Sequence, residues 1–195
     1  MKYIGIDEAG RGTLFGSVFA GAVIWDDKID SSSFTDSKKM SKKNRAIARQ
    51  YIEDNAIAFG VGFATNKEVD YINIRRATFM AMHRAIDDLF DKNPSLLEED
   101  IELRIDGNCF EKYKRYHHNT FVKGDLLYKE ISAASVLAKQ HHDDDIVNCV
   151  NADRELEKYG LLGHMGYATK VHIEAIRQYG PSSFHRMTFK PIKRF

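Results

Sequence analysis

The stretch Ile4-Gly5-Ile6-Asp7-Glu8-Ala9-Gly10-Arg11-Gly12 joins an apolar run, short enough to be a strand, to two adjacent carboxylates and a glycine-bracketed arginine. Carboxylates beside a core are costly unless they bind something. A Gly-Arg-Gly turn lets backbone N–H groups approach a ligand closely and adds one cation. The stretch therefore fits a divalent metal beside a phosphate. It equally fits a strand that runs into a polar surface turn, so residues further along the chain must decide.

Length and composition predict one domain with a sizeable core. The chain has 195 residues, of which 43% are hydrophobic and 11% aromatic. We expect a single domain over residues 1–195, with a helical C-terminal part from about residue 150. Two cysteines, Cys109 and Cys149, argue against a disulfide scaffold or a zinc site and favour a reducing compartment. Without a visible signal peptide or membrane span, we expect a cytoplasmic monomer with no membrane partner.

The charge of the chain is nearly balanced but unevenly distributed. The formal net charge is only +1, so it does not by itself indicate a nucleic-acid partner. Basic residues nevertheless gather at 38–45, at 112–118 and in the C-terminal tail, while acidic residues gather at 87–91 and 98–100. This segregation predicts a basic face on a neutral protein, although ordinary solvated surfaces explain any single cluster equally well.

The hydrophobic pattern predicts alternating strands and helices. Apolar runs at 3–6, 18–25 and 56–64 are nearly consecutive and predict an antiparallel meander, with close packing against Gly60 and Gly62. Further strands are predicted at 101–105 and 120–122. Helices are predicted after Ser41, with Ile47, Tyr51 and Ile52 as apolar positions, along 77–89, from 131 to 139, and from about Thr169 to Gly180. The alternation favours an α/β layered domain.

Carboxylates follow three of these predicted strands: Asp7 and Glu8, then Asp106, then Asp125. Strand ends meet at one edge of a mixed sheet, and four carboxylates there would repel one another unless divalent cations intervened. Oxygen ligands favour Mg²⁺ or Mn²⁺ over zinc, and carboxylates that bridge two such ions can hydrolyse a phosphodiester. Asp7 and Glu8 share a site only if the strand ends or twists there, because neighbouring strand residues point to opposite faces.

A series of short motifs runs the length of the chain. In chain order they are Gly5-Ile6-Asp7-Glu8-Ala9-Gly10-Arg11-Gly12, Asp36-Ser37-Lys38-Lys39, Asn73-Ile74 with Ala77-Thr78, Asp106-Gly107, Lys123-Gly124-Asp125, Ser132-Ala133-Ala134-Ser135 with Ala138-Lys139, Gly166-Tyr167 with Thr169-Lys170 and His172, and Tyr179-Gly180-Pro181 with His185-Arg186. Together they resemble bacterial ribonuclease HII over residues 4–189. The first motif is highly specific, whereas Asp-Gly and Lys-Gly-Asp are weak alone.

The resemblance implies a ribonuclease H-like fold, a five-stranded mixed sheet flanked by helices with a helical C-terminal part. It implies an endoribonuclease that cleaves the RNA strand of RNA–DNA hybrids and incises beside single ribonucleotides in duplex DNA, leaving 5′-phosphate and 3′-hydroxyl ends. Carried over by position, Asp7, Glu8, Asp106 and Asp125 resemble the catalytic ligands of Mn²⁺ or Mg²⁺. The implied partners are the hybrid duplex and ribonucleotide-containing DNA.

The resemblance also implies a set of substrate contacts. Gly10, Arg11 and Gly12 resemble the turn that senses the ribose 2′-hydroxyl, and Tyr167 resembles a tyrosine that packs on the neighbouring sugar. The side chains that resemble backbone-phosphate contacts are Lys38, Lys39, Ser135 and Lys139. Plainer alternatives stay open, since Ser135 lies in a run of small residues, Lys139 fits an ordinary helix surface and Tyr167 fits a core.

Some residues depart from the family pattern or imitate a site. Thr13 and Ser17 stand where the family has proline, Leu127 stands where a lysine is common, and His142 replaces an arginine. The run at 141–145 imitates a metal cluster, but consecutive helical residues point in different directions. We interpret it as a solvated helix end in which Asp143 alone fits the family.

Two other functions remain open for a chain of this kind, a non-catalytic module that binds hybrid duplex and a DNA-junction resolvase of the same fold. Four clustered carboxylates argue against a binding module, because negative charge would repel phosphates. The Gly-Arg-Gly turn and Tyr167 argue against a resolvase, because DNA offers no 2′-hydroxyl.

Overall fold

A five-stranded mixed sheet forms the centre of the computed structural model, which describes residues 1–32, 34 and 40–194. The strands are β1 Lys2–Ala9, β2 Val18–Ile24, β3 Ala58–Ala64, β4 Ile101–Asp106 and β5 His117–Phe121, in the spatial order β3-β2-β1-β4-β5. The first three form the predicted antiparallel meander, and β4 and β5 run parallel to β1. The carboxyl ends of β1, β4 and β5 therefore meet at one edge, as the sequence predicts.

The described part of the chain contains six helices. They are α1 Lys42–Asn55, α2 Asn66–Ile72, α3 Ile74–Lys92, α4 Lys129–Ala152, α5 Leu161–His164 and α6 Lys170–Tyr179. Ser41 and Thr169 are the N-caps of α1 and α6, where the sequence predicts helix starts. Among the residues described, no helix combines the length and hydropathy that a bilayer crossing requires.

Helices α3 and α4 cover opposite faces of the sheet. Gly60 and Gly62 let the backbone of α3 approach β3, since a methyl group at either glycine would collide with the backbone around Ala81 and Ala85. The predicted close approach is thus confirmed. On the other face, the first half of α4 packs on β1 and β2, and its small residues from Ser132 to Ser135 are buried there.

Helix α4 corrects two of our predictions. It continues well past residue 139, so residues 141–145 lie within the helix and not at a solvated end. His142 and Asp143 are only 1% and 5% exposed, because His142 packs against Gly10 and Phe19 and Asp143 contacts Arg45 of α1. The prediction for α1 is wrong at Ile47, which is exposed, while Arg45 takes a buried position facing α4.

The C-terminal part of the chain packs on the second half of α4 and on the segment that follows the Gly-Arg-Gly turn. Leu14 and Phe15 share a buried cluster with residues of α4, α5 and α6. This cluster fixes the loop between β1 and β2 against the C-terminal helices. The turn at 10–12 therefore lies between the strand ends and the C-terminal part.

Candidate active site

Asp7 is a buried carboxylate on the central strand. It is 2% exposed, its Oδ1 accepts a 2.7 Å hydrogen bond from the Glu8 backbone N–H, and its Oδ2 has no hydrogen-bond partner among the residues that the structure describes. Strand alternation directs Asp7, like Gly5, towards α4. A buried carboxylate oxygen without a donor is costly, and a cation bound beside it would remove that cost.

Three carboxylates share one electrostatic field at this strand edge. Burial raises the pKa of Asp7 well above its ordinary value, and the negative charges of Glu8 and Asp106 raise it further. Hydrogen bonds from the Ser135 hydroxyl and the Glu8 N–H act in the opposite direction but do not outweigh burial and repulsion. A divalent cation would relieve both costs, since it neutralises charge where water is excluded.

Asp106 and Asp125 are linked through a backbone turn. Asp106 ends β4, and its Oδ1 accepts a 2.7 Å hydrogen bond from the N–H of Gly124. Asp125 lies in the 3₁₀ turn Gly124–Leu126 and not directly at a strand end, because β5 is His117–Phe121 where 120–122 was predicted. The Gly124 N–H bond places the start of this turn at Asp106, whereas the charges that raise the pKa of Asp7 are those of Glu8 and Asp106.

The donor chemistry of this edge fits a hard divalent cation, since every candidate ligand is a carboxylate oxygen. The carboxylates are not, however, gathered closely enough to coordinate one cation together. In the part of the chain that the structure describes, no three acidic, histidine or cysteine side chains form a ready-made cation site. Glu8 instead forms a 3.0 Å ion pair with Arg11 from the adjacent turn.

The Gly-Arg-Gly turn lies directly beside this edge. Gly10 has φ +84°, a conformation that favours glycine, and the His142 ring packs against its Cα. The buried Thr13 hydroxyl donates a 3.0 Å hydrogen bond to the Gly10 carbonyl, so a hydrogen bond closes the turn where the family has proline. Arg11 and Gly12 remain exposed.

Tyr167 and the turn share one surface. A methyl group at Gly12 would lie 3.9 Å from the Tyr167 ring, and Thr13 and Tyr167 pair through their backbones. The Tyr167 ring is 41% exposed, which leaves one side open, and the Lys139 Nζ lies 5.3 Å from the ring centroid. The turn, Tyr167 and Lys139, predicted separately from the sequence, are therefore neighbours.

The other predicted contacts differ in position. Ser135 is 3% exposed and hydrogen-bonds Asp7, so it lies beneath the carboxylates. Lys38 and Lys39 lie outside the described residues, and their phosphate contacts stay predictions. The Leu127 side chain, at the position of the family lysine, is exposed beside the Asp125 turn.

Replacing Gly10 with alanine is expected to lower turnover of a ribonucleotide-containing substrate by on the order of a hundredfold. The new methyl group meets the His142 ring, and alanine is strained at this φ. Steady-state kinetics measures the effect. Gly180→Ala is the control, because Gly180 has φ +75° but open space around its Cα, and it isolates strain alone. Equal effects of the two substitutions would show that the Gly10–His142 packing is unimportant.

Asp143 is a buried hub that sequence reasoning recognised only by resemblance. Its carboxylate accepts from Arg45 Nη2 at 2.6 Å, Lys139 Nζ at 2.8 Å and His142 Nδ1 at 3.0 Å. Burial alone raises the pKa of Asp143, but the hydrogen bonds from His142 and Lys139 lower it overall. The hub joins α1 to the lysine beside Tyr167 and to the histidine beneath Gly10.

A pair of buried histidines lies behind Tyr167, and sequence reasoning missed it. His172 and His185 are fully buried, and their Nε2 atoms are 3.0 Å apart. Burial lowers the pKa of each to about 4, and for His185 the neighbouring His172 adds to the effect. Next to them the fully buried Arg186 donates to the carbonyls of Gly16 and Arg11, which holds the turn from below.

This histidine pair is expected to make the protein less stable in mild acid. The imidazole of a histidine in the unfolded chain has a pKa near 6.5, whereas the pKa of each buried histidine is about 4. Between these two pH values the unfolded chain binds more protons than the folded protein, so protonation favours unfolding. The stabilisation is complete above pH 6.5 and is lost towards pH 4, at a cost of on the order of 3 kcal/mol per imidazole. Urea unfolding from pH 7.5 to 4.5 measures it. In His172→Phe the free energy of unfolding should depend less steeply on pH than in wild type. The exposed control His117→Gln should show the same pH dependence as wild type. Equal pH dependence in all three proteins would refute the assignment.

Comparison with known proteins identifies the family and the fold. The sequence profile described as Ribonuclease HII matches residues 4–192. A ribonuclease HII of Parabacteroides distasonis is 46% identical over 185 residues, which cover 95% of this chain and 88% of the relative. Ribonuclease H2 of Pyrococcus horikoshii OT3 superposes with a TM-score of 0.77 at 24% identity, covering 100% of this chain and 96% of that one.

A second solved structure, Bst-RNase HIII in complex with Mn²⁺, superposes with a TM-score of 0.79 at 18% identity, covering 100% of this chain and 68% of that one. At these identities the two superpositions show the fold, which is the predicted mixed sheet flanked by helices. The profile match and the curated relative show more than the fold. The chain therefore belongs to the ribonuclease HII family, a family of endoribonucleases that act on RNA–DNA hybrids.

Proposed function

We propose that the protein hydrolyses the RNA strand of RNA–DNA hybrids internally and incises on the 5′ side of single ribonucleotides in duplex DNA, leaving 5′-phosphate and 3′-hydroxyl ends. The observation that carries the proposal is the buried Asp7, whose Oδ2 lacks a donor within the described ranges and whose pKa is raised by burial and by Glu8 and Asp106. A site that keeps so unfavourable a charge cluster is expected to use it in chemistry.

The catalytic ligands in this proposal are Asp7, Glu8, Asp106 and Asp125, and the cofactor is Mn²⁺ or Mg²⁺. Support comes from the all-oxygen donor set and from the Mn²⁺ complex of Bst-RNase HIII. When bound, a pair of such ions supplies Lewis-acid activation of water and stabilisation of the leaving oxygen. The protein contributes fixed ligand positions: the Glu8 N–H and the Ser135 hydroxyl orient Asp7, and the Gly124 N–H orients Asp106.

The neighbouring surface selects and positions the substrate. Gly10, Arg11 and Gly12 contact the ribose 2′-hydroxyl, and the exposed side of the Tyr167 ring packs on the adjoining sugar. Lys139 joins Lys38 and Lys39 in contacting backbone phosphates, which position a duplex without reading its sequence. The Ser135 side chain is too buried to contact a backbone phosphate extensively. In this proposal its hydroxyl mainly orients Asp7.

We propose that the chain acts as a monomer and as one catalytic domain, residues 1–195, with its helical C-terminal part from about residue 150. Support comes from the cluster that joins Leu14 and Phe15 to α6 across the whole length of the chain. The biological role in the proposal is ribonucleotide excision repair in the cytoplasm, where unpaired cysteines such as Cys109 and Cys149 are usual.

A cleavage assay on a continuous RNA–DNA hybrid tests the proposal. We expect internal cuts in the RNA strand with Mn²⁺ or Mg²⁺, none with a chelator, and none in a DNA four-way junction. Tight hybrid binding without cleavage in either metal would instead indicate a non-catalytic module. Cleavage of the junction in preference to the hybrid would indicate a resolvase.

A further inference from the structure

The segment directly after the Gly-Arg-Gly turn lies between two segments of the C-terminal part, one around Tyr167 and the other around Arg186. On one side the Leu14 N–H donates to the Gly166 carbonyl at 2.8 Å. On the other side the Arg186 N–H donates to the Leu14 carbonyl at 2.8 Å, and the Gly16 N–H donates to Phe184 at 3.0 Å. Thr13 and Leu14 pair with the segment around Tyr167, and Leu14 and Gly16 pair with the segment around Arg186, so both segments help to set the position of the turn relative to Tyr167.

His172 and His185 connect these two C-terminal segments through a chain of hydrogen bonds, which we call the imidazole relay. The Ser182 N–H donates to His185 Nδ1 at 2.9 Å, and His172 Nδ1 bonds the Tyr167 carbonyl at 2.9 Å. A carbonyl only accepts, so His172 carries its proton on Nδ1, and its Nε2 accepts from the Nε2–H of His185 across 3.0 Å.

The relay runs in one direction from Ser182 to the backbone of Tyr167, with both rings neutral. A third proton would break this arrangement, because it would displace either the Ser182 N–H donor or the bond between the two Nε2 atoms. The rings are also held by packing: His164 stacks on His172 at 4.5 Å, and Phe15 and Tyr159 contact the His185 ring edge-on at 5.2 and 4.8 Å. Such a fully satisfied buried network specifies one geometry.

We propose that the imidazole relay is a positioning device that fixes Tyr167 against the Gly-Arg-Gly turn and so sets the selectivity of the site for ribose. The inference rests on the proposed function, in which Tyr167 and the turn contact the sugar. His172 and His185 touch no substrate in this scheme. They act through the Tyr167 backbone, whose carbonyl also accepts from the Thr169 N–H at 2.8 Å.

Kinetics on duplex DNA with a single ribonucleotide test the inference through a double-mutant cycle. His172→Phe keeps a ring but removes both relay bonds, and we expect kcat/KM to fall on the order of tenfold or more, mainly in kcat. Tyr167→Ala should show a similar loss, and the double variant should be no worse than Tyr167→Ala alone. A purely structural role of His172 would give multiplying effects.

Further variants test the relay without relying on His172→Phe alone. His185→Asn keeps an acceptor for the Ser182 N–H but breaks the central bond, so it should lose activity as His172→Phe does. His172→Asn keeps a donor for the Tyr167 carbonyl and should recover part of the loss. Ile176→Ala removes buried volume from the same cluster without touching the relay, and the kcat/KM of its folded fraction should stay within about twofold of wild type.

The failures of the inference and of the proposed function can be told apart. If Tyr167→Ala lowers kcat/KM while His172→Phe and His185→Asn leave it unchanged, or if the losses in the cycle multiply, the relay inference is wrong and the proposed function stands. If wild-type protein does not cut at the ribonucleotide, or if Tyr167→Ala has no effect, the proposed substrate contacts fail and the inference fails with them.

Discussion

Replacing Asp7 with asparagine is expected to lower kcat on an RNA–DNA hybrid by on the order of a thousandfold. Asparagine keeps the shape of the side chain but removes the negative charge, and about 4 kcal/mol of lost charge stabilisation corresponds to that factor. The affinity for hybrid should change little, because positioning depends on the turn and the phosphate contacts. Single-turnover kinetics and equilibrium binding measure the two quantities separately.

The same substitution is expected to stabilise the fold. Burial and the charges of Glu8 and Asp106 raise the pKa of Asp7, so the folded state holds its ionised form at a cost. The gain in the Asn variant should be present at neutral pH and disappear as the pH falls through the ordinary range of an aspartate, where the unfolded chain is also protonated.

The control is Asp145→Asn, because burial also raises the pKa of Asp145 although it lies outside the site. That variant should gain stability without losing activity. An Asp7→Asn enzyme with near-normal turnover would contradict the assigned role.

Replacing Asp143 with alanine is expected to lower the free energy of unfolding by about 3–5 kcal/mol, because it leaves a buried cation unpaired. Arg45 is 5% exposed, and its 2.6 Å bond to Asp143 is its only ion pair within the described ranges. Lys139 also loses its 2.8 Å partner beside Tyr167, so turnover should fall as well. Urea denaturation at neutral pH measures the stability.

Asp144→Ala is the matched control for this prediction. Asp144 is the next residue on the same helix and pairs with Arg49 at 2.8 Å, but its side chain is 42% exposed. Water screens that pair, so its loss should cost less than about 1 kcal/mol. Similar losses for the two alanine variants would mean that the hub is not a buried ion pair in solution.

The sheet and most helices are predictable from the sequence because they depend on local signals. Ser41 and Thr169 cap helices through their own side chains, and Gly60 and Gly62 indicate where a helix backbone must approach the sheet. The carboxylates at 7 and 106 are predictable for the same reason, since each lies at or near the end of a strand whose apolar pattern is visible in the sequence.

The supporting contacts could not be predicted, because their partners are far apart in the chain. Asp143 and Arg45 are separated by 98 residues in the sequence, and no local sequence pattern indicates that they pair. The i,i+4 spacing of Lys139 and Asp143 is a local signal, but such pairs are common on helix surfaces and do not indicate a buried hub. His172 and His185 lie 13 positions apart on different elements, so their contact depends on how α6 packs.

In the proposed function the carboxylates perform the hydrolysis, and the turn with Tyr167 selects the sugar that reaches them. The most direct measurement is cleavage of an end-labelled DNA duplex with one ribonucleotide, beside the same duplex made entirely of DNA, in Mn²⁺ or Mg²⁺. We expect a single cut on the 5′ side of the ribonucleotide, with 3′-hydroxyl and 5′-phosphate ends, and an intact all-DNA duplex. Comparable cleavage of the all-DNA duplex, or a cut on the other side of the ribonucleotide, would contradict it.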